Sequence, residues 1–128
     1  MRDGKPVVLV VDDEPDIREF ALMALEGDGF HAVSAANAEA ALQVLGTMQV
    51  DVLVTDVVMP GRLSGVDLAR QARRINPKIR VICTSGFSSA LDIGTAVLRK
   101  PYDARSLKRE IDLALAARPG PPALSSQL

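Results

Sequence analysis

The chain has no tryptophan, one tyrosine, three phenylalanines and one cysteine among its 128 residues. So little aromatic surface leaves no platform for stacking nucleic-acid bases. The single thiol, Cys83, cannot close an internal disulfide, which excludes a stapled secreted scaffold and suits a reducing compartment; a cytoplasmic location is expected. Neither sign of charge dominates. Fifteen Lys and Arg stand against sixteen Asp and Glu, for a net charge of -1, so a nucleic-acid binder relying on bulk charge is not expected. The longest apolar run, Pro6 to Val11, is too short to span a bilayer, and the N-terminus shows no export signal. With one histidine in the chain, Cys83 has no second one to activate it and reads as a small buried hydrophobe. His31 itself reads as a surface residue of an outer strand.

What is present is a core. Hydrophobic residues make up 48% and charged residues 24%, the balance of one folded domain, expected over residues 1–117. Val7 to Val11 is a β-branched run that stops at Asp12-Asp13-Glu14-Pro15, which predicts a strand buried on both faces. Pro15 suits the first turn of a helix with Asp13 as its cap, and Ile17, Phe20, Ala21, Ala24 and Leu25 recur at helical spacing as its inner face. Phe30 to Ala35 predicts a second strand, and Asn37 caps a helix carrying Ala40, Ala41, Val44 and Leu45. Asp51 to Asp56 repeats the design of the first strand and is broken by Met59-Pro60-Gly61. Val66, Ala69 and Ala72 mark a third helix, on which Arg73-Arg74 reads as a solvated face and which Asn76-Pro77 ends. Arg80 to Ser85 and Ala96 to Arg99 are further strands. Asp103 caps a last helix with Leu107, Ile111, Ala114 and Leu115 inward. Residues 118–128, rich in proline, are expected to be a disordered tail.

Strands alternating with helices imply an open parallel α/β sheet with helices on both faces, whose ligands collect at the carboxyl ends of the strands. The residues at those ends are Asp12 and Asp13, Asp56, Thr84 and Ser85, and Lys100. Three carboxylates at one sheet edge repel unless a cation or a proton offsets them. An all-oxygen set without His or Cys suits Mg²⁺, with Mn²⁺ possible, better than Zn²⁺. A carboxylate there can act as nucleophile toward a phosphoryl donor, with a hydroxyl and an ammonium holding the transferred group. Each residue also has a plainer reading: Asp13 as a cap, Asp56 as a turn residue, the two hydroxyls bonded to backbone, Glu14 and Asp16 as negative charge at a helix N-terminus. Glu14 has the further option of orienting a metal-bound water.

Val10-Val11-Asp12-Asp13-Glu14-Pro15, Thr55-Asp56-Val57-Val58-Met59-Pro60-Gly61, Thr84-Ser85-Gly86 and Lys100-Pro101-Tyr102 together resemble the receiver domain of two-component response regulators, over roughly residues 6 to 117. The resemblance implies a doubly wound, five-stranded CheY-like (flavodoxin-like) sheet of order 2-1-3-4-5. It implies Asp56 as phosphoacceptor, Asp13 and Asp56 as Mg²⁺ ligands with the backbone carbonyl of Val58, and Asp12 assisting through water. Lys100 would pair with the acceptor and then the phosphoryl group, ahead of a cis Lys100-Pro101 bond. Ser85 is the favoured switch hydroxyl and Thr84 the alternative. Val97 stands where the family often has an aromatic, a departure from the usual hydroxyl-aromatic coupling. Only Gly86 to Thr95 separate the last two strands, so the helix between them is expected to be short or absent, as in a subgroup of bacterial receivers.

The expected function is a signalling phosphoacceptor rather than an enzyme. It would take a phosphoryl group from a histidine kinase or histidine phosphotransfer protein and signal by conformational change and protein contact, as a monomer or weak dimer, with no output domain, nucleic acid or membrane involved. The alternatives are a degenerate receiver acting without phosphorylation, and a small phosphohydrolase with an aspartyl-phosphate intermediate. The phosphohydrolase reading lacks an Asp-x-Asp nucleophile motif and a cap insertion.

Overall fold

The computed structural model describes residues 4–59, 61, 63–85 and 96–117. Five parallel strands, β1 (Val7–Val11), β2 (His31–Ala35), β3 (Val52–Asp56), β4 (Arg80–Ser85) and β5 (Ala96–Arg99), pair in the order β2-β1-β3-β4-β5. The helices α1 (Pro15–Glu26), α2 (Ala38–Thr47), α3 (Gly65–Ile75) and α4 (Ala104–Ala116) cover the two faces. Every residue of β1 and β3 is buried, which accounts for their unbroken apolar runs.

Side chains of a strand alternate between faces, and here they feed two cores. Val7, Leu9, Val11, Leu53, Val81 and Cys83 pack with residues of α2 and α3. Val8, Val10, Val52, Val54, Ile82 and Leu98 pack with Ala21 and Leu25 of α1 and Leu107 and Ile111 of α4. The same alternation places the charges. Asp12 follows Val10 by two residues, Asp56 follows Val54 and Lys100 follows Leu98, so three strands deliver a charged residue to one face at one edge. Register completes the alignment, with Val11 opposite Thr55, Asp56 opposite Thr84 and Ser85 opposite Arg99.

Several expectations are corrected. Asp13 does not cap α1: Glu14 occupies the N-cap without a side-chain cap bond, and the carboxylate that accepts the Glu14 N–H, at 3.0 Å, belongs to Asp12. Phe20 is not an inner-face residue, since it is 42% exposed. Its ring lies 6.1 Å from that of Tyr102, tilted by 51°. β2 starts at His31, Phe30 instead filling the α1/α4 core. β3 starts at Val52, because the Asp51 carboxylate turns back to accept the Val7 N–H at 2.8 Å. Arg73 is not simply solvated. Its guanidinium is partly buried over Cys83, and loss of water lowers its pKa. Asn37 and Asp103 cap α2 and α4 as expected, accepting from the Ala40 and Ser106 N–H groups. The expected short or absent helix between β4 and β5, and the expected tail, lie outside the described residues.

Candidate functional site

The site is assembled at the carboxyl edge of the sheet, at the reversal of strand order between β1 and β3. Asp12 and Asp56 are 2% and 7% exposed, an environment that a carboxylate tolerates only with partners. Lys100 supplies both. Its Nζ lies 2.7 Å from Asp12 Oδ2, 2.8 Å from Asp56 Oδ2 and 4.0 Å from Glu14 Oε2. Burial alone would lower the lysine pKa, but the Asp12 and Asp56 carboxylates outweigh it and hold the ammonium above its ordinary value of 10.5. The Lys100-Pro101 peptide is cis.

One ammonium against three carboxylates leaves the cluster net negative. Asp12, Asp13 and Asp56 each present an oxygen within 4.8 Å of the others, and Asp13 is exposed. The set therefore fits a hard divalent cation such as Mg²⁺: its donors are all oxygen, its charge needs neutralising, and one side is open for the waters such an ion keeps.

The Asp56 carboxylate is fixed at both oxygens. Oδ2 meets Lys100, and Oδ1 accepts the Val58 N–H at 3.2 Å. The Asp12 backbone is held by Arg18, whose Nη1 donates to the Asp12 carbonyl oxygen at 2.7 Å. Arg18 was not anticipated from the sequence. Its signal was its place one turn into α1 with its guanidinium able to reach back to the loop, a pattern that any surface arginine shares.

The two hydroxyls of β4 differ. Thr84 continues the Ile82 face, and its Oγ1 is buried with no hydrogen-bond partner among the described residues. Ser85 is on the other face, that of Cys83, and its carbonyl oxygen accepts the Lys100 N–H at 2.8 Å. Val97, opposite Cys83 in register, shares that face. Cys83 is fully buried, and burial raises its thiol pKa to about 11, the inert behaviour expected of it. Beside Lys100, a cleft of about 150 Å³ is lined by Asp16, Ile17, Phe20, Lys100, Pro101 and Tyr102. Burial, followed by the nearby Asp12 charge, pushes the Tyr102 hydroxyl up to about 12. Among the described residues no helix is long and apolar enough to cross a membrane.

A parallel 2-1-3-4-5 sheet with acidic residues after β1 and at the end of β3 and a lysine after β5 defines a signalling receiver, and the comparisons agree. The chain belongs to the response regulator receiver domain family, whose model matches residues 8–112. It is 34% identical over 117 residues to the response regulator receiver protein CpdR of Brucella abortus, covering 86% of this chain and 97% of that protein. It is 32% identical over 113 residues to the sensor kinase CckA of the same organism, covering 81% of this chain and 12% of the kinase. Among solved structures, the response regulator TrrA of Thermotoga maritima in complex with Mg²⁺-BeF superposes with a TM-score of 0.76 at 30% identity, covering 86% of this chain and 99% of that one.

Proposed function

We propose that Asp56 accepts a phosphoryl group from the phosphohistidine of a histidine kinase or histidine phosphotransfer protein. The observation that carries this reading is the Lys100 ammonium shared between Asp12 and Asp56 at 2.7 and 2.8 Å, with Asp13 converging on the same edge. A carboxylate oxygen of Asp56 attacks phosphorus. The O–P bond forms as the donor's N–P bond breaks, and the imidazole leaves with that electron pair and takes a proton from solvent. The product on this chain is an acyl phosphate.

Asp13, Asp56 and the Val58 carbonyl would hold Mg²⁺, or Mn²⁺ in its place, with Asp12 acting through a water. When bound, the ion offsets the crowded carboxylates and the charge of the incoming phosphoryl oxygens. Lys100 stays protonated throughout, so it can follow the negative charge from Asp56 to the phosphoryl group without a proton transfer. The cleft between Lys100 and Phe20 gives a donor protein an apolar foothold next to the reacting carboxylate.

Ser85 is the hydroxyl that reports the event. It ends β4 ahead of the small Gly86 and its carbonyl accepts the Lys100 N–H, whereas Thr84, although on the face of Asp56 and opposite it in register, has its hydroxyl buried. Because Val97 has no ring to swing inward, the signal passes through Ser85 as a shift between two states of the domain, followed by contact with another protein.

Intact mass after incubation with acetyl phosphate and Mg²⁺ tests the reading. A phosphoryl adduct is expected that is lost with EDTA and in Asp56→Asn. An unmodified mass together with no beryllofluoride binding, in folded protein that binds Mg²⁺, would favour a module working without phosphorylation.

A further inference from the structure

Gly65, the first residue of α3, is glycine for lack of space and not for its torsion angles. The described glycines with positive φ are Gly4, Gly29 and Gly61; Gly65 is not one of them. A Cβ at Gly65 would collide with the Asp56 carbonyl oxygen, and would stand 2.8 Å from the Asp56 carbonyl carbon and 2.9 Å from Val57 Cα. All are backbone atoms, so no side-chain rotation relieves the overlap. Nor is α3 free to retreat. Its N-terminus is pinned by a capping box in which Ser64 Oγ accepts the Asp67 N–H at 3.1 Å and Asp67 Oδ2 accepts the Ser64 N–H at 3.2 Å.

The peptide groups of the acceptor segment are tied down one by one. The Asp56 carbonyl accepts the Thr55 hydroxyl at 3.1 Å. The Val57 N–H donates to the Thr84 carbonyl at 3.0 Å, and the Val57 carbonyl accepts the Gly65 N–H at 3.0 Å. The Val58 N–H is on Asp56 Oδ1. Thr55, fully buried, thus spends its hydroxyl on the acceptor's own carbonyl.

We infer that Gly65 and Thr55 are positioning residues that clamp the Asp56–Val58 backbone and thereby set the cation affinity of the site. The inference rests on the phosphoacceptor reading, in which Asp56 and the Val58 carbonyl share one ion. Displacing the Asp56-Val57 peptide moves both ligands at once.

The test titrates Mn²⁺ into the full chain, following free ion by electron paramagnetic resonance, beside urea unfolding of each variant. Gly65→Ala is expected to bind Mn²⁺ at least about tenfold more weakly, the scale seen when groups supporting metal ligands are removed. Gly46→Ala, where an added Cβ meets nothing within 4 Å, is expected to bind as wild type. Thr55 gives a reading independent of whether Gly65→Ala folds. Thr55→Val keeps the shape and loses the hydroxyl; Thr55→Ser keeps the hydroxyl and loses a buried methyl. If the clamp operates, affinity follows the hydroxyl, with Val about tenfold weaker and Ser close to wild type, while stability follows the methyl in the opposite order. Affinity that instead tracks stability, with Ser weaker than Val, or Val binding as wild type, overturns the clamp and leaves the phosphoacceptor reading standing. Wild type that binds no Mn²⁺ overturns both.

Discussion

Lys100 illustrates how far single residues were legible. A lysine before a proline after an apolar run carries little meaning alone. The alternation Val10-Asp12, Val54-Asp56 and Leu98-Lys100 sets all three charges on one face, so the ion pairs follow from strand parity once the strands are known. The hydroxyl pair was harder, because adjacent residues of a strand differ in face and not in composition. Parity sets Thr84 on the face of the charges and Ser85 on the opposite one, and the burial of the Thr84 hydroxyl yields a prediction. Thr84 Oγ1 is buried without a partner among the described residues, a condition that destabilises by about 1–3 kcal/mol. Thr84→Val is therefore expected to raise stability by about 1 kcal/mol, seen as a higher urea midpoint at unchanged slope. Ser85→Ala is expected to keep the phosphoryl adduct and lose the amide shifts that beryllofluoride with Mg²⁺ induces beyond Asp56. A Thr84→Val protein that is less stable, or that loses those shifts while Ser85→Ala retains them, would transfer the reporting role to Thr84.

At the scale of elements, β-branched runs and Pro-Gly breaks located every strand to within a residue, since buried parallel strands have few sequence alternatives. Helix starts were read less well. Asp13 before Pro15 has the form of a cap, but a cap requires its carboxylate to fold back over the helix, and here Asp12 does so toward Glu14 while Asp13 joins the acidic edge. The α3 start was missed altogether, because Ser64 and Asp67 form a capping box with aspartate where glutamate or glutamine is usual. Phe20 was misassigned because a hydrophobic residue at helical spacing marks a face without saying how much of it is covered. The cap has a measurable share in holding α3: Ser64→Ala is expected to lower unfolding free energy by about 1 kcal/mol. Since the cap also anchors the helix against the Asp56-Val57 peptide, the same variant should bind Mn²⁺ more weakly than wild type. Unchanged stability would show that the box is ornamental to the helix.

For the whole molecule, the fold buries charge at one edge of an otherwise apolar sheet. The domain should therefore be less stable without a cation than with one. With Mg²⁺ at a hundredfold excess over its Kd, mass action adds about 2.7 kcal/mol to the folded state, and the thermal midpoint should rise with Mg²⁺ concentration. Asp13→Asn is expected to abolish that dependence. In the absence of metal it should be more stable than wild type by about 0.5 kcal/mol, the scale of an exposed charge interaction. A midpoint of Asp13→Asn that still climbs with Mg²⁺ would place the ion elsewhere.

Tyr102 is the only tyrosine of a chain without tryptophan; its ring meets that of Phe20, and it lines a cleft with Lys100, the partner of Asp12 and Asp56. When excitation is set beyond the phenylalanine absorption band, the protein's emission thus originates at one ring beside the Lys100 ion pairs. With its hydroxyl pushed up to about 12, that ring keeps its proton across the working range, so a change in brightness reports events at the edge of the sheet and not ionisation of the fluorophore. The molecule carries its own optical gauge, with no label to attach.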